Sequence, residues 1–150
     1  MTMRDRLEDD IRQSMRNRDQ ARVDALRFLK AAVQAAEKTA GKDLDDEAME
    51  VVTSKQVNDR RESIRMFKLG NRTDLVAKES AELTVLEEYL PPQLAQGELT
   101  ELIQGIVAEL GATSIKDKGK VMGRLMPQVR GKADGAQVNE IVTQILEAGG

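Results

Sequence analysis

Apolar residues recur every three or four positions along almost the whole chain, a spacing that is typical of amphipathic α-helices. Leu7, Ile11 and Met15 form the first such series. A second series consists of Val23, Leu26, Leu29 and Val33. Arg18 and Asp19 separate the two, either as a tight turn between helices or as the solvated surface of one longer helix. The alternating apolar and polar pattern that predicts β-strands does not occur in the sequence.

Small polar residues and glycines mark where the helices begin and end. Gly41 follows the second series, where a left-handed C-terminal cap is predicted. Asp43 and Asp45 can cap a long third helix over about 46–69, since their carboxylates accept hydrogen bonds from unpaired N–H groups. Asn71 is predicted to cap the fourth helix in the same way.

A pair of prolines marks the strongest boundary in the chain. Pro91 and Pro92 must end the fourth helix, because a proline disfavours helical geometry at the residue before it. We therefore predict an all-α protein with an antiparallel four-helix unit over 1–90 and a three-helix bundle over 97–150. Residues 91–96 are predicted to link them, either as a rigid corner or as a hinge. Pro127 lies inside the pattern of the sixth helix, so its last turn is predicted to be kinked or to close early.

The composition excludes several classes of chemistry. The chain of 150 residues has no His, Cys or Trp, and therefore no imidazole base, thiol nucleophile or zinc knuckle. Its three aromatic residues cannot form the stacking platform of a typical single-strand RNA reader. We expect no catalytic residue, cofactor or metal site, and neither a signal peptide nor a membrane span. The prediction is a cytoplasmic protein that works by binding.

The net charge of −3 conceals two basic segments. Residues 55–72 contain six basic and two acidic side chains, and residues 114–132 contain six basic and one acidic. The rest of the chain is correspondingly acidic. Local charge of this kind attracts polyanions even when the whole protein is negative.

The second basic segment is the main candidate for binding RNA phosphates. Its predicted contact residues are Lys118, Lys120, Arg124, Arg130, Lys132, Gly119 and Gly123. Lys120 and Arg124 lie four apart and share one helix face. Gly119 and Gly123 are also four apart and would let another backbone approach closely. That backbone is either an RNA phosphate chain or, as the preferred explanation, a neighbouring helix. Both explanations can be true at once.

A stripe on the third helix is the secondary candidate. Arg61, Arg65 and Lys68 fall at spacings of four and three, so they follow one face. They form either a second phosphate-contacting surface or, as preferred, a solvated face that pairs with acidic residues of the fourth helix. Those acidic residues are Glu79, Glu82, Glu87 and Glu88.

Several short motifs, taken in order, carry a resemblance to a known family. They are MRNRD at 15–19, LRFLKAA at 26–32, RESIRMF at 61–67, GNRTDL at 70–75, GKVMGRLMP at 119–127 and GKADG at 131–135. Together they resemble the GatB/YqeY family, specifically its free-standing YqeY-like proteins. The resemblance extends from about Leu7 to Leu146.

The resemblance implies an N-terminal helical domain and a C-terminal three-helix domain. The latter is similar to the tail of the B subunit of the tRNA-dependent amidotransferase, which helps to hold tRNA. The family is described as carbon–nitrogen ligase with glutamine as amide donor, but the residues supply no self-contained catalytic site. We expect a protein that binds tRNA or is associated with tRNA-dependent amidotransfer. The alternative is a non-enzymatic interaction module that docks on an amidotransferase, a synthetase or another translation protein.

Overall fold

The computed structural model describes residues 1–149 and shows that the protein is all-α. Within those residues it contains seven α-helices, one 3₁₀ turn at Ile115–Asp117 and no strand. The helices are α1 (Met3–Arg16), α2 (Gln20–Ala40), α3 (Asp46–Leu69), α4 (Thr73–Glu87), α5 (Gln96–Leu110), α6 (Lys118–Val129) and α7 (Gly135–Glu147). They form two compact units. The N-terminal unit is Met1–Leu90 and contains α1–α4, and the C-terminal unit begins at Pro91 and contains α5–α7.

The predicted helix ends of the N-terminal unit are largely confirmed. Arg18 takes a left-handed conformation at φ +56°, so the break between the first two series is a tight turn. Gly41 has φ +73°, and its N–H donates to the Glu37 carbonyl at 2.8 Å. The Asp45 side chain accepts a hydrogen bond from the backbone N–H of Ala48 at 2.8 Å.

The predicted cap at Asn71 is wrong. Asn71 itself adopts a left-handed conformation at φ +56°. Its backbone N–H donates to the Lys68 carbonyl, so this residue closes α3 and does not open α4. Helix α4 follows Arg72, whose side chain makes no capping hydrogen bond.

The N-terminal core forms where α1, α2, α3 and α4 face one another. Its fully buried side chains include Leu26, Leu29, Met49, Val57 and Leu86. Val52 and Phe67 of α3 are only half-buried. Arg60 and Glu82 take buried positions on the same helices.

Among the described residues of the C-terminal unit, the buried side chains of the core are all aliphatic. They include Leu99, Ile103, Val121, Leu125, Val129, Val138, Val142 and Leu146. Helix α6 continues two residues past Pro127, which is exposed. The backbone N–H of Leu94 donates to the Lys132 carbonyl at 2.8 Å, and the Gln93 side chain donates to the Gly131 carbonyl at 2.7 Å. Residues 93–94 are thereby fixed to the loop after α6.

None of the helices in the described part of the chain has the length and apolar character needed to cross a bilayer.

Candidate nucleic-acid interface

Helix α6 has one buried face and one exposed face. Val121, Leu125 and Val129 point into the C-terminal core, four residues apart. The positions on the other side are all exposed, again at steps of four. They are Gly119, Lys120, Gly123, Arg124, Pro127 and Gln128. The predicted contact residues Lys120 and Arg124 therefore share this exposed face with the two glycines.

The two glycines leave part of this helix face without side chains and open. A Cβ atom built on Gly119 or Gly123 would meet no other atom within 4 Å. The preferred explanation, that the glycines let a neighbouring helix pack closely, does not hold for the helices of the C-terminal unit. The two glycines therefore leave open space beside α6. An approaching backbone could come close to α6 between Lys120 and Arg124.

The start of the basic segment is held by a compact capping structure. The Asp117 carboxylate accepts hydrogen bonds from the backbone N–H groups of Thr113 at 3.0 Å and Ser114 at 3.3 Å. These bonds, and to a smaller extent the charge of Lys120, hold the pKa of Asp117 below its ordinary value. Lys116 lies in the 3₁₀ turn and not on α6 itself.

The other end of the segment is a loop with fixed backbone. Gly131 takes φ +77°, and the Lys132 N–H donates to the Val129 carbonyl at 2.8 Å. Arg130 and Lys132 are both exposed on either side of this glycine. They extend the basic surface beyond the last turn of α6.

Charge is strongly segregated in the C-terminal unit. All six basic side chains among residues 91–149 lie between 116 and 132. We call the set Lys118, Lys120, Arg124, Arg130 and Lys132, with Gly119 and Gly123, the α6 basic surface. Arg124 donates a hydrogen bond of 3.3 Å to Glu109 of α5, and both side chains remain about half exposed. The arrangement is suited to contacting phosphate groups through charge.

The secondary basic stripe on α3 is engaged mainly with acidic residues of its own unit. Arg61 donates to Glu87 of α4 at 3.3 Å, as the preferred interpretation predicts. Arg65 donates to Glu62, one turn earlier on α3, at 2.9 Å. Lys68 is exposed near the end of α3. Two of the three stripe residues, Arg61 and Arg65, are therefore paired with carboxylates of the N-terminal unit.

A buried charge cluster was missed by the sequence analysis. Arg60 of α3 donates to Glu79 at 2.7 Å and also to Glu82, and its guanidinium lies over the Phe28 ring, 4.8 Å from the centroid. The signal was present, because Arg60 stands in the same helical row as the buried residues Val57 and Ile64. A charged residue inside an apolar row indicates a buried ion pair.

A second polar network holds the end of α4 against α1. The Tyr89 hydroxyl donates to Asp10 at 2.6 Å, and Arg22 donates to the same carboxylate at 2.9 and 2.5 Å. Burial alone would raise the pKa of Asp10, but the hydrogen bonds from Arg22 and Tyr89 outweigh it and lower the pKa. Burial and the bond to Asp10 raise the pKa of Tyr89.

The structure also indicates where small molecules could fit. Among residues 1–149 there is no group of three or more acidic side chains placed to hold a metal ion. A cleft of about 550 Å³ lies against the ends of α5 and α7 and contains none of the predicted contact residues. Another of about 460 Å³ opens beside Arg60 in the N-terminal unit.

A family model described as YqeY-like protein matches residues 4–146. The chain belongs to the YqeY-like family. This confirms the relationship indicated by the sequence motifs, and the match includes both units and the α6 basic surface.

Curated relatives share the similarity over much of their length. One from Pyrenophora tritici-repentis is 31% identical over 146 residues, which is 95% of this chain and 80% of the relative. One from Lachancea thermotolerans is 32% identical over 107 residues, 69% of this chain and 57% of the relative. One from Saccharomyces cerevisiae strain YJM789 is 26% identical over 151 residues, which is 94% of this chain and 82% of the relative. Each is named "Altered inheritance of mitochondria protein 41, mitochondrial".

These names overturn the predicted cytoplasmic location. All three relatives are named as mitochondrial proteins. The prediction rested on the composition and on the absence of a secretory signal and a membrane span, a criterion that does not test for mitochondrial import. Mitochondrial targeting uses amphipathic, arginine-rich segments, so that criterion has no bearing on it.

Proposed function

We propose that this YqeY-like protein binds tRNA through the phosphate backbone, using the α6 basic surface. One observation carries the proposal. The basic side chains of the C-terminal unit are gathered on and beside α6, and two glycines keep the space between them open. Association with tRNA-dependent amidotransfer is the finer form of this proposal, and its support is the resemblance to the amidotransferase tail.

The mode of contact follows from the chemistry of the surface. Lys and Arg neutralise phosphates and release the counterions bound to them, so the affinity falls as salt rises. Helical RNA is recognised mostly by shape and by contacts to phosphates and 2′-hydroxyls. The α6 basic surface offers cations and exposed backbone, and none of its side chains is aromatic.

A gel-shift titration with bulk tRNA over a salt series tests the proposal. We expect binding by the wild type, with an affinity that declines as salt rises. The double variant Lys120→Glu with Arg124→Glu should bind much more weakly, and its salt slope should be smaller by about two. Unchanged tRNA binding by this variant would show that the α6 basic surface is not the tRNA-binding site.

A matched control carries the same change of net charge in the N-terminal unit. Lys38→Glu with Lys42→Glu replaces two exposed lysines that are also four apart. We expect this variant to bind tRNA nearly as the wild type does. An equal loss in both variants would show that only net charge matters.

The second candidate function is a protein-interaction module for the translation apparatus. It is favoured by the exposed Met66 and Leu69 near the end of α3, which are 59% and 79% exposed. A pull-down with Leu69→Glu beside the wild type, from nuclease-treated lysate, tests it. Partners that survive nuclease but are lost with Leu69→Glu support this function.

An enzymatic role in glutamine-dependent amide transfer is open to a direct assay. We expect the isolated chain to release no ammonia from glutamine in the presence of charged tRNA, since it contains no Cys or His to serve as nucleophile or base. Ammonia release above the buffer control would contradict this expectation.

A further inference from the structure

The cleft beside Arg60 lies in the N-terminal unit, apart from the α6 basic surface. Its volume is about 460 Å³, and α2, α3 and α4 all contribute to its wall. The wall combines an aromatic ring, a buried guanidinium and carboxylates. This combination differs from a surface that only attracts phosphates.

Arg60 has a hydrogen-bond donor that the protein does not use. Its side chain is only 9% exposed, and its Nη1 group donates to Glu79 and Glu82. Its Nε atom is buried and has no partner. A buried donor without an acceptor is costly, and such a group calls for an explanation. Arg60 also lines the cleft, so the unpaired donor belongs to a residue that forms part of the wall around a bound molecule.

Phe28 provides a flat apolar surface at the same place. The Arg60 guanidinium packs on one face of the Phe28 ring, 4.8 Å from the ring centroid. Phe28 is nevertheless 52% exposed. The chain's other two aromatic residues are less accessible, since Phe67 is half-buried and Tyr89 is buried. Phe28 is therefore the aromatic residue best placed to stack against a ligand.

Two exposed carboxylates supply acceptors. Asp24 of α2 and Asp59 of α3 both line the cleft. Asp24 accepts one hydrogen bond from Gln20, and Asp59 accepts one from Lys55. An ionised carboxylate has about four lone-pair sites, so both keep acceptor capacity for a ligand amino group.

We propose that this cleft binds a single unpaired nucleobase that carries an exocyclic amino group. The base stacks on the exposed face of Phe28, and its amino group donates to Asp24 or Asp59. Unpaired RNA bases are commonly read in this way, by stacking on an aromatic ring and hydrogen bonding along their edges. The small number of aromatic residues excludes a row of stacked bases but not one base. The proposal extends RNA binding to the N-terminal unit and relies on the proposed function only for the biological source of the base.

Cytidine and uridine make a matched pair of probes for the full chain. They have the same ring size, but uracil has a carbonyl where cytosine has its amino group. Titration of the wild type, followed by NMR shifts or calorimetry, should show cytidine binding at least about tenfold tighter, because uracil would turn lone pairs toward the carboxylates. Equal binding of the two nucleosides, or no binding of cytidine, would overturn the proposal.

Variants of the ring provide a second readout. Phe28→Leu should weaken cytidine binding by about tenfold or more, while Phe28→Tyr should retain it. Phe67→Leu is the control, because it makes the same change at a residue that does not line the cleft. Equal cytidine affinity in wild type and a folded Phe28→Leu variant would contradict stacking on this ring.

The nucleoside experiment also separates this proposal from the proposed function. Nucleosides carry no phosphate, so Lys120→Glu with Arg124→Glu should bind cytidine as the wild type does. If that variant loses tRNA but keeps cytidine, both proposals are supported. If the wild type fails to bind tRNA but binds cytidine selectively, only the proposed function fails.

Discussion

In the N-terminal unit Arg60 and Glu82 lie within the core, whereas every buried residue in the described part of the C-terminal unit is apolar. The N-terminal unit also buries Ser14, Thr53 and Ser54, and it uses Arg22 to join α1, α2 and the end of α4. The buried and half-buried charges of the first unit, such as Arg60, Glu82 and Arg22, are paired with partners in the same unit. The cations on and after α6 lie at the surface, where a partner molecule can reach them.

Replacing Arg60 should have the largest effect in testing this contrast between paired, buried charges and exposed ones. Arg60→Ala would leave Glu79 and Glu82 without their counter-charge in a buried place. We expect a loss of about 3–5 kcal/mol in the free energy of unfolding. Urea denaturation followed by the fluorescence of Tyr89, the sole Tyr in a chain without Trp, reports on the N-terminal unit.

Two further variants show whether charge or packing is responsible. Arg60→Met with Glu79→Gln and Glu82→Leu removes the whole cluster, and it should recover most of the loss. Lys120→Ala on the exposed face of α6 should change stability by less than about 0.5 kcal/mol. If Arg60→Ala lowered the free energy of unfolding by less than about 1 kcal/mol, the buried charges of the N-terminal unit would contribute no more to stability than exposed ones do.

Asp10 should contribute to the pH dependence of the N-terminal unit's stability. Its folded-state pKa is lowered below the ordinary value of 3.8, so it contributes stability above that value. This contribution is lost as the pH falls through the lower, folded-state pKa. Asp10→Asn should cost about 1.5–3 kcal/mol at neutral pH and flatten the fall in stability on the acid side.

The control for Asp10 is its neighbour on α1. Asp9 pairs with Arg12, but both side chains are more than half exposed. Asp9→Asn should therefore change the free energy of unfolding by no more than about 0.5 kcal/mol. Urea titrations of Asp10→Asn and Asp9→Asn at pH 7 and pH 3 make the comparison, and parallel profiles would refute the role of Asp10.

Replacing the two glycines of α6 should change thermal stability and tRNA affinity in opposite directions. Alanine at an exposed helical glycine gains roughly 1 kcal/mol in helix propensity, and open space at 119 and 123 accommodates the new methyl groups. Gly119→Ala with Gly123→Ala should therefore raise the melting temperature. We also expect weaker tRNA binding, because the methyl groups stand where a phosphate backbone would approach.

Gly105→Ala is the matched control for this experiment. Gly105 is an exposed glycine inside α5, and a Cβ there also meets nothing within 4 Å. Its replacement should stabilise the protein and leave the affinity for tRNA unchanged. If the α6 double variant bound tRNA as tightly as the wild type, close approach at the glycines would be refuted.

The sequence predicted the helices well because their signals are local. The apolar spacing predicted α3 over 46–69, the bounds that the structure has, and Gly41 and Gly111 end α2 and α5 with positive φ. The all-α fold followed from the same periodicity. These features depend on residues close together along the chain, so a single sequence contains the necessary information.

The features that sequence reasoning missed depend on contacts between distant residues. Glu79 and Glu82 were expected to pair with the exposed α3 stripe, and the spacing did not indicate that the buried Arg60 meets them instead. Whether Gly119 and Gly123 face a helix or open space was equally undetermined, because that depends on where α5 and α7 lie. The cleft beside Phe28 likewise requires three helices to be placed together.

The smallest expected effect concerns Glu109 of α5, an acidic side chain that accepts a hydrogen bond from Arg124 of the α6 basic surface. Its pair with Arg124 is 3.3 Å long, and the two side chains are 61% and 49% exposed. Exposed pairs contribute only about 0.2–1 kcal/mol, so Glu109→Gln should hardly change stability. A phosphate must take Arg124 from Glu109 and is repelled by it, so this variant should bind tRNA about two- to fivefold more tightly.

The control for Glu109 is Glu140→Gln on α7, which makes the same change of charge at another exposed position. Gel-shift titration of both variants at one salt concentration measures the difference. Equal tightening by the two would show an effect of net charge, and no tightening by Glu109→Gln would place Arg124 outside the interface. Tightening by Glu109→Gln alone would mean that the C-terminal unit, too, holds a cation with its own carboxylate, though weakly enough for RNA to take it.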